Sequence, residues 1–255
     1  MRNIPLSDVD QVNRAVLAIS TDYPPETLLL PHTHRRAQFL YGISGLMEVE
    51  TDDGAWVIPP YSGVWIPAGK RHQVLMRGVS TRSLYIEKTL PVRNGNQCEA
   101  LIVSPLLHQL LLASEDIPAL YDENERAGHI LRLAIDELRS ASALPLFAPL
   151  PQDERLSMLC RAFLRTPYIT TSAEEWAHQL NCSPRTFSRF FRQQTGTSFG
   201  KWRQQACLMA AVTRLSCGES VTSVALGLGY DSPGAFSSMY RRQTGAAPGT
   251  HRRTT

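Results

Sequence analysis

Short apolar runs, broken by Pro, Gly and Asp, dominate the chain from about residue 15 to residue 87. Each run is four to six residues long, which is typical of strands and too short for helices. Such runs at close spacing predict an antiparallel β-barrel or sandwich rather than alternating strands and helices. Thr51-Asp-Asp-Gly54, between two of the runs, predicts a hairpin turn. The runs are 15–19, 26–30, 38–43, 46–51, 55–58, 63–66, 72–76 and 83–87.

The pattern becomes helical after residue 104. Ser104-Pro105 predicts the start of a leucine-rich helix, and Asp122 is expected to cap a second helix. The second helix carries an apolar stripe through Ile130, Ala134 and Leu138. A face of this width can cover the barrel and leave a seam for a second copy, so it predicts a homodimer. Packing within one chain alone is the alternative.

Three prolines fall within residues 144–151, which predicts a stiff, extended linker. We therefore expect an α+β protein of two domains. Residues 1–145 form an antiparallel β-barrel with flanking helices, 146–151 form the linker, and 152–255 form an all-α domain.

The all-α part contains two copies of one pattern, about 172–195 and 220–245, with a long helical segment from Phe199 to Leu215 between them. In each copy a short helix and a turn precede Ser-Pro, which favours the start of a second helix. This is a helix-turn-helix pattern, typical of proteins that read the DNA major groove. An offset of 49 residues throughout aligns Ser183-Pro184 with Ser232-Pro233, Phe187 with Phe236, Phe191 with Tyr240, Arg192 with Arg241 and Gly196 with Gly245.

Charge divides the chain in the same place. From Gln152 onward there are thirteen Lys or Arg and six Asp or Glu, a net charge of +7, whereas the first 151 residues carry −4. A basic helical half fits the binding of DNA phosphates. Twelve of the thirteen cations are arginine, which can also form paired hydrogen bonds with guanine.

The second copy resembles the AraC/XylS-type transcription regulators. The resemblance lies in Val224-Ala225, Gly229-Tyr230, Ser232, Phe236, Tyr240, Gly245 and Pro248, and the similar region spans about the last hundred residues. It implies a sequence-specific DNA-binding regulator whose partner is double-stranded operator DNA. The residues expected to contact DNA are Ser183, Arg185, Thr186, Ser188, Arg189, Arg192, Ser232, Ala235, Ser237, Ser238, Arg241 and Arg242.

Two stretches of the predicted barrel resemble the cupin motifs. His32-Thr-His34, Gln38 and Gly45 match His-x-His-x(3)-Glu-x(6)-Gly, except that Gln38 stands in place of the Glu. Pro67-Ala-Gly69-Lys-Arg-His72 matches Pro-x-Gly-x(2)-His. Histidines on alternate strand positions point to one face, and His72 can converge on them from a neighbouring strand.

This cluster admits three interpretations. His32, His34 and His72, with the Gln38 carbonyl, could hold a divalent transition metal such as Zn, Ni, Fe or Cu. The same four residues could instead bind a small-molecule effector without metal. The third interpretation is a barrel interior of satisfied polar side chains that binds nothing.

We therefore expect a transcription regulator whose cupin-like domain senses a small molecule or a metal, and not an enzyme. The alternative is a cupin-type metalloenzyme, an oxygenase or isomerase, tethered to DNA. The five scattered cysteines form no Cys-x-x-Cys pair and are typical of reduced thiols in a cytoplasmic protein. No apolar run is long enough to cross a membrane.

Overall fold

The computed structural model describes residues 1–144 and 146–251, which form two compact units. The first unit comprises Met1–Val49 and Ile58–Leu144. The second comprises Glu50–Val57 and the described residues after 145. The first unit contains antiparallel sheets with two larger helices and the second is mainly helical, so the α+β fold class is confirmed.

All eight apolar runs form strands. Thr51 donates its backbone N–H to the carbonyl oxygen of Gly54 at 2.9 Å, which confirms the turn. A short helix, α1 (Leu6–Val9), and a ninth strand, β9 (Glu99–Ile102), were not predicted. The eight strands are β1 (Val16–Asp22), β2 (Thr27–His32), β3 (Ala37–Gly42), β4 (Leu46–Glu50), β5 (Gly54–Ile58), β6 (Ser62–Ile66), β7 (His72–Arg77) and β8 (Ser80–Ile86).

Strand register brings the cupin-like residues together. One sheet has the order β1-β8-β3-β6-β9, and within it Gln38 on β3 lies opposite Tyr85 on β8. In the other sheet β4, β7 and β2 follow one another, with β2 at the edge. His32 at the end of β2 pairs directly with His72 at the start of β7.

Two helices pack on the first sheet. They are α2 (Pro105–Ala113) and α3 (Arg126–Ser140). As predicted, Ser104 caps α2, accepting a hydrogen bond from the Leu107 backbone N–H at 3.0 Å. The prediction that Asp122 caps α3 is wrong: its carboxylate accepts from the backbone N–H of Asn124 in a local turn, and α3 begins four residues later.

The apolar stripe of α3 faces the core of its own unit. Ala134 and Leu138 are fully buried in the cluster that also contains Phe39 and Leu84, and Ile130 packs against that cluster. The seam predicted for a second copy is therefore occupied by the chain's own sheet, because the stripe already has an apolar partner.

The predicted linker contains a short strand, β10 (Phe147–Pro149), which pairs antiparallel with β5. The ring of Phe147 stacks on Trp56, with 4.6 Å between the ring centroids. The indole N–H of Trp202 donates to the carbonyl oxygen of Pro149 at 2.8 Å. The segment is extended, as its prolines predict, and it is bonded along its length within the second unit.

The second unit forms the predicted series of helices. Both helix-turn-helix pairs are present, α5 with α6 and α8 with α9, and the long segment between them is the single helix α7. Every one of these helices begins at a Ser or Asp whose side chain accepts a backbone N–H of the first turn. The helices are α4 (Glu154–Arg165), α5 (Ala173–Gln179), α6 (Pro184–Thr195), α7 (Phe199–Ser216), α8 (Val221–Gly227) and α9 (Pro233–Thr244), followed by a 3-10 turn at Pro248–His251.

Aromatic side chains form the core around the first helix-turn-helix pair. Trp176 of α5 lies at its centre, 4.8 Å from the ring of Phe199 and 5.9 Å from that of Trp202. Phe187 and Phe191 of α6 are fully buried against it, as their spacing predicts. Across the described residues, no helix combines the length and apolar character that a bilayer crossing needs.

Candidate histidine site and DNA-binding surface

The structure brings His32, His34 and His72 together on the first unit. One potential ligand atom from each ring lies within 4.8 Å of the others. The ring centroids of His32 and His72 are 4.3 Å apart, and those of His34 and His72 are 5.1 Å apart. His32 is exposed and His72 is buried, so the cluster reaches from the surface into the unit.

Each imidazole is oriented by a backbone carbonyl. Nδ1 of His32 lies 2.7 Å from the Leu30 oxygen, Nδ1 of His34 lies 2.6 Å from the Arg36 oxygen, and Nδ1 of His72 lies 2.8 Å from the Lys70 oxygen. Because a carbonyl oxygen can only accept, each Nδ1 carries the proton. The Nε2 atoms of the neutral rings are then left with lone pairs, as metal-binding histidines require.

Burial keeps the two inner rings neutral. Desolvation, together with the neighbouring His32 and His34, lowers the pKa of His72 to about 4, against the raising effect of its bond to the Lys70 carbonyl. Desolvation also lowers the pKa of His34, against the raising effect of its bonds to Arg36 and Gln38. Nε2 of His72 is buried and has no hydrogen-bond partner in the described part of the chain. A buried lone pair without a donor is costly, and a cation would satisfy it.

Gln38 lies beside His34 and completes the set of four residues that the motifs predict. Its Oε1 lies 3.0 Å from Nε2 of His34, while its Nε2 donates to Ser83 Oγ at 3.1 Å and to the Tyr85 hydroxyl at 3.0 Å. Oε1 and the Nε2 of a neutral His34 both offer lone pairs. Two acceptors this close repel each other unless both bind a cation or the Gln38 amide is reversed. The donor set therefore fits a divalent transition metal.

Ser83 and Tyr85 are the residues of this site that the sequence did not single out. They lie two positions apart on β8, with the buried Leu84 between them on the opposite face. In the sequence, these residues are visible only as two polar side chains at alternate positions of an otherwise apolar run. That pattern does not predict their contact with Gln38, which depends on the register of β3 against β8.

The two recognition helices present the predicted DNA-contacting residues to solvent. Ser237 is half-buried and the other eleven are exposed. The hydroxyls of Ser183 and Ser232 cap α6 and α9, accepting from the backbone N–H groups of Thr186 and Ala235. These two serines therefore fix the starts of the recognition helices in addition to lying on their exposed ends.

The arginines of the recognition helices have no acidic partner among the residues that the structure describes. In the first unit, by contrast, Arg36 pairs with Asp10 and Glu87, and Arg82 pairs with Glu115. The arginines concerned are Arg185, Arg189 and Arg192 on α6, and Arg241 and Arg242 on α9. Unpaired, exposed guanidinium groups along one helix are suited to phosphates and guanine edges.

The two copies are not related by one constant offset. The helix-capping serines of the first helices, Ser172 and Ser220, are 48 residues apart, whereas those of the recognition helices, Ser183 and Ser232, are 49 apart. The predicted offset of 49 throughout is thus wrong for the first helices. The turn of the second copy contains one more residue. Both turns include a residue with positive φ, Asn181 at 54° and Gly229 at 79°.

Comparison with known proteins supports the assignment of a helix-turn-helix domain to the second unit. Residues 176–254 match a family model described as a helix-turn-helix domain. The chain is 28% identical over 244 residues to the HTH-type transcriptional regulator NimR of Escherichia coli K12, covering 95% of this chain and 89% of that protein. It is 32% identical over 102 residues to the HTH-type transcriptional regulator RipA of Corynebacterium glutamicum, covering 40% of this chain and 31% of that protein.

Two solved structures are also similar. ToxT from Vibrio cholerae has 11% identity and a TM-score of 0.38, covering 93% of this chain and 96% of ToxT. The C-terminal domain of AraT, a response regulator from Geobacillus stearothermophilus, has 27% identity and a TM-score of 0.35, covering 38% of this chain and 84% of that domain. The matched residues and the two copies identify an AraC-type helix-turn-helix domain in the second unit. Over most of its length the chain is similar to a curated HTH-type transcriptional regulator.

Proposed function

We propose that this regulator binds operator DNA through α6 and α9 and holds a divalent transition metal in its first unit. His32, His34 and His72 supply three imidazole ligands, and the Gln38 carbonyl oxygen supplies a fourth donor. The observation that supports this proposal is the cluster of three imidazoles, with one nitrogen of each ring within 4.8 Å of the others and each Nδ1 bonded to a backbone carbonyl. A bound metal would supply a positive centre able to accept a lone pair from an effector.

A ligand at the histidine site can control DNA binding only if its affinities for two arrangements of the protein differ. A ligand shifts the protein between two arrangements when it binds one more tightly than the other, whatever its absolute affinity. His34 is two residues from Arg36, which is fully buried and bonds the backbone oxygens of Val12 and Arg14. Rearrangement at the histidines can therefore reach residues 10–14 through this arginine.

A metal-free effector pocket is the second candidate. It requires the Gln38 amide in the opposite orientation, with its NH2 group donating to Nε2 of His34 and its oxygen accepting from Ser83 and Tyr85. In that arrangement the amide of Gln38 and the Nε2 of His34 are also satisfied. The two candidates differ in a measurable quantity, the metal content of the purified chain.

The test begins by selecting fragments of sheared genomic DNA that the full chain binds, which supplies an operator probe. Metal content and operator affinity are then measured for the wild type and for the triple variant His32→Ala, His34→Ala, His72→Ala. We expect the wild type to hold stoichiometric metal and to change its operator affinity on metal removal. The triple variant should hold no metal, bind DNA measurably and not respond. His129→Ala, an exposed histidine of the same unit, is the matched control.

The outcomes separate the candidates. Negligible metal in the wild type together with an intact effector response supports the metal-free pocket. Failure to enrich any genomic fragment above an Arg185→Ala, Arg189→Ala variant contradicts the DNA-binding role. Turnover of a small molecule by the metal-loaded chain would support the metalloenzyme alternative.

A further inference from the structure

The four donors that would hold a metal at the histidine site are all electrically neutral. An imidazole that binds a metal through Nε2 keeps one proton, here on the Nδ1 that bonds a backbone carbonyl, and the fourth side chain is an amide where the cupin motif has a carboxylate. In the described part of the chain the cluster contains histidines alone, without Asp, Glu or Cys. A divalent ion held here therefore keeps its whole charge.

The carboxylates beside this end of β3 are already neutralised. Asp10 bonds Arg35 Nε at 2.9 Å and Arg36 Nε at 3.0 Å. Glu87 bonds Nη1 of Arg35 and Nη2 of Arg36, both at 2.8 Å. Arg36 is fully buried, so both carboxylates are already engaged by a buried guanidinium as well as by the more exposed Arg35.

In the orientation that the metal assignment requires, the oxygen of Gln38, and not its NH2 group, faces the histidines. The hydroxyls of Ser83 and Tyr85 accept both amide protons. The pair therefore positions Gln38 as a neutral oxygen donor.

We propose that the effector is a small anion, such as a carboxylate, which binds at this positively charged site beside the exposed His32. The inference rests on the metal assignment made above. Charge that the protein leaves uncompensated in a partly buried site is strongly attractive to a mobile anion, because the local dielectric constant is below that of water. Gln38 is responsible for this preference for an anion. A Glu at this position would itself place a carboxylate beside the metal and reduce the attraction for an external anion.

Gln38→Glu therefore has opposite effects on the two ligands. The new carboxylate raises the affinity for metal and lowers the affinity for an exogenous anion. The substitution is compatible with its surroundings, because the Ser83 and Tyr85 hydroxyls can donate to a carboxylate as readily as they accept from an amide. Tyr85→Phe is the complementary variant. It removes one of the two groups that orient the amide and should weaken metal binding without changing the charge.

The experiment uses the full chain, Co(II) as the metal and azide as the anion, followed by the visible absorption of the bound ion. We expect Gln38→Glu to bind Co(II) about tenfold more tightly and azide about tenfold more weakly than the wild type. His129→Ala should match the wild type in both titrations.

The two titrations distinguish the failure of each proposal. A wild-type chain that binds no Co(II) overturns the metal assignment and this inference with it. A chain that binds Co(II) but responds equally to azide in the wild type and in Gln38→Glu leaves the metal assignment standing and overturns the anionic effector. If Gln38→Glu does not fold, azide is titrated into the Co(II) forms of the wild type and of Tyr85→Phe. The absence of a spectral change in both would contradict the proposal of an anionic effector.

Discussion

The ring of Tyr168 packs against Gly229, where an added Cβ would lie 2.6 Å from the ring. Beside this contact, the backbone N–H of Ile169 donates to the carbonyl oxygen of Leu228 at 2.8 Å. The loop that precedes the first helix-turn-helix pair is thus bonded to the turn of the second. These two contacts join the two helix-turn-helix pairs in addition to the covalent connection through α7.

Gly229→Ala should destabilise the second unit and weaken operator binding. Its φ of 79° is unfavourable for a residue with a Cβ, and the Tyr168 ring must also shift. The expected loss is about 2 kcal/mol in the free energy of unfolding, measured by chemical denaturation.

Gly200→Ala is the matched control in the same unit. This glycine lies inside α7, where a Cβ would meet no atom within 4 Å. Alanine should therefore stabilise the helix by about 0.5–1 kcal/mol. Equal effects of the two substitutions would show that the turn at Gly229 is not strained by a side chain.

The elements that sequence predicts well are those specified by local chemistry. The eight apolar strand runs, and the caps at Ser104, Ser183 and Ser232, depend on residues within a few positions of each other. The start of α3 was missed because Asp122 can cap a helix or close a turn with Asn124, and the local sequence permits both.

The parts that sequence could not supply depend on contacts between distant residues. Ser83 and Tyr85 reach Gln38 only through the register of β8 against β3. The stripe of α3 was read as a possible seam because periodicity identifies an apolar face without naming its partner. The offset of 49 between the two Ser-Pro sites describes the recognition helices alone and does not reveal the extra residue in the second turn.

The buried stripe changes how the predicted homodimer should be tested. Ile130→Glu would introduce a charge against the core and is expected to destabilise the first unit by about 2 kcal/mol or more, whatever the oligomeric state. Leu133, on the exposed side of α3, is the better position. If α3 forms the interface, Leu133→Glu should convert a dimer to a monomer in sedimentation of the full chain. Leu133→Glu should change the free energy of unfolding by less than about 0.5 kcal/mol.

The limits of the first domain stay a prediction, and the strand β10 suggests a sharper experiment. A fragment 1–145 retains β5 but lacks β10, so Trp56 loses the stacked ring of Phe147. An unpaired strand edge beside an exposed indole favours aggregation. Fragment 1–151 restores both contacts and should remain soluble at concentrations where 1–145 aggregates, as measured by light scattering. Similar solubility of the two fragments would mean that β10 is not needed.

The two recognition helices should divide the work of DNA binding. At the 49-residue offset, Arg185 and Arg189 of α6 correspond to Gly234 and Ser238 of α9. Arginine can form paired hydrogen bonds with guanine, each good for about 1–3 kcal/mol of discrimination, whereas glycine offers no side-chain donor and serine discriminates poorly. The first helix should therefore carry most of the sequence specificity. The second should contribute phosphate contacts through Arg241 and Arg242.

Single substitutions separate these roles in binding to a library of single-base operator variants. Arg189→Ala should relax the preference at one or two base pairs. Arg242→Ala should weaken binding to all sequences alike and reduce the salt dependence by about one unit, because one phosphate contact is lost. Arg126→Ala, an exposed arginine on α3 of the first unit, should change neither. If base pairs under residues 233–242 discriminate as strongly as those under 184–194, the asymmetry is refuted.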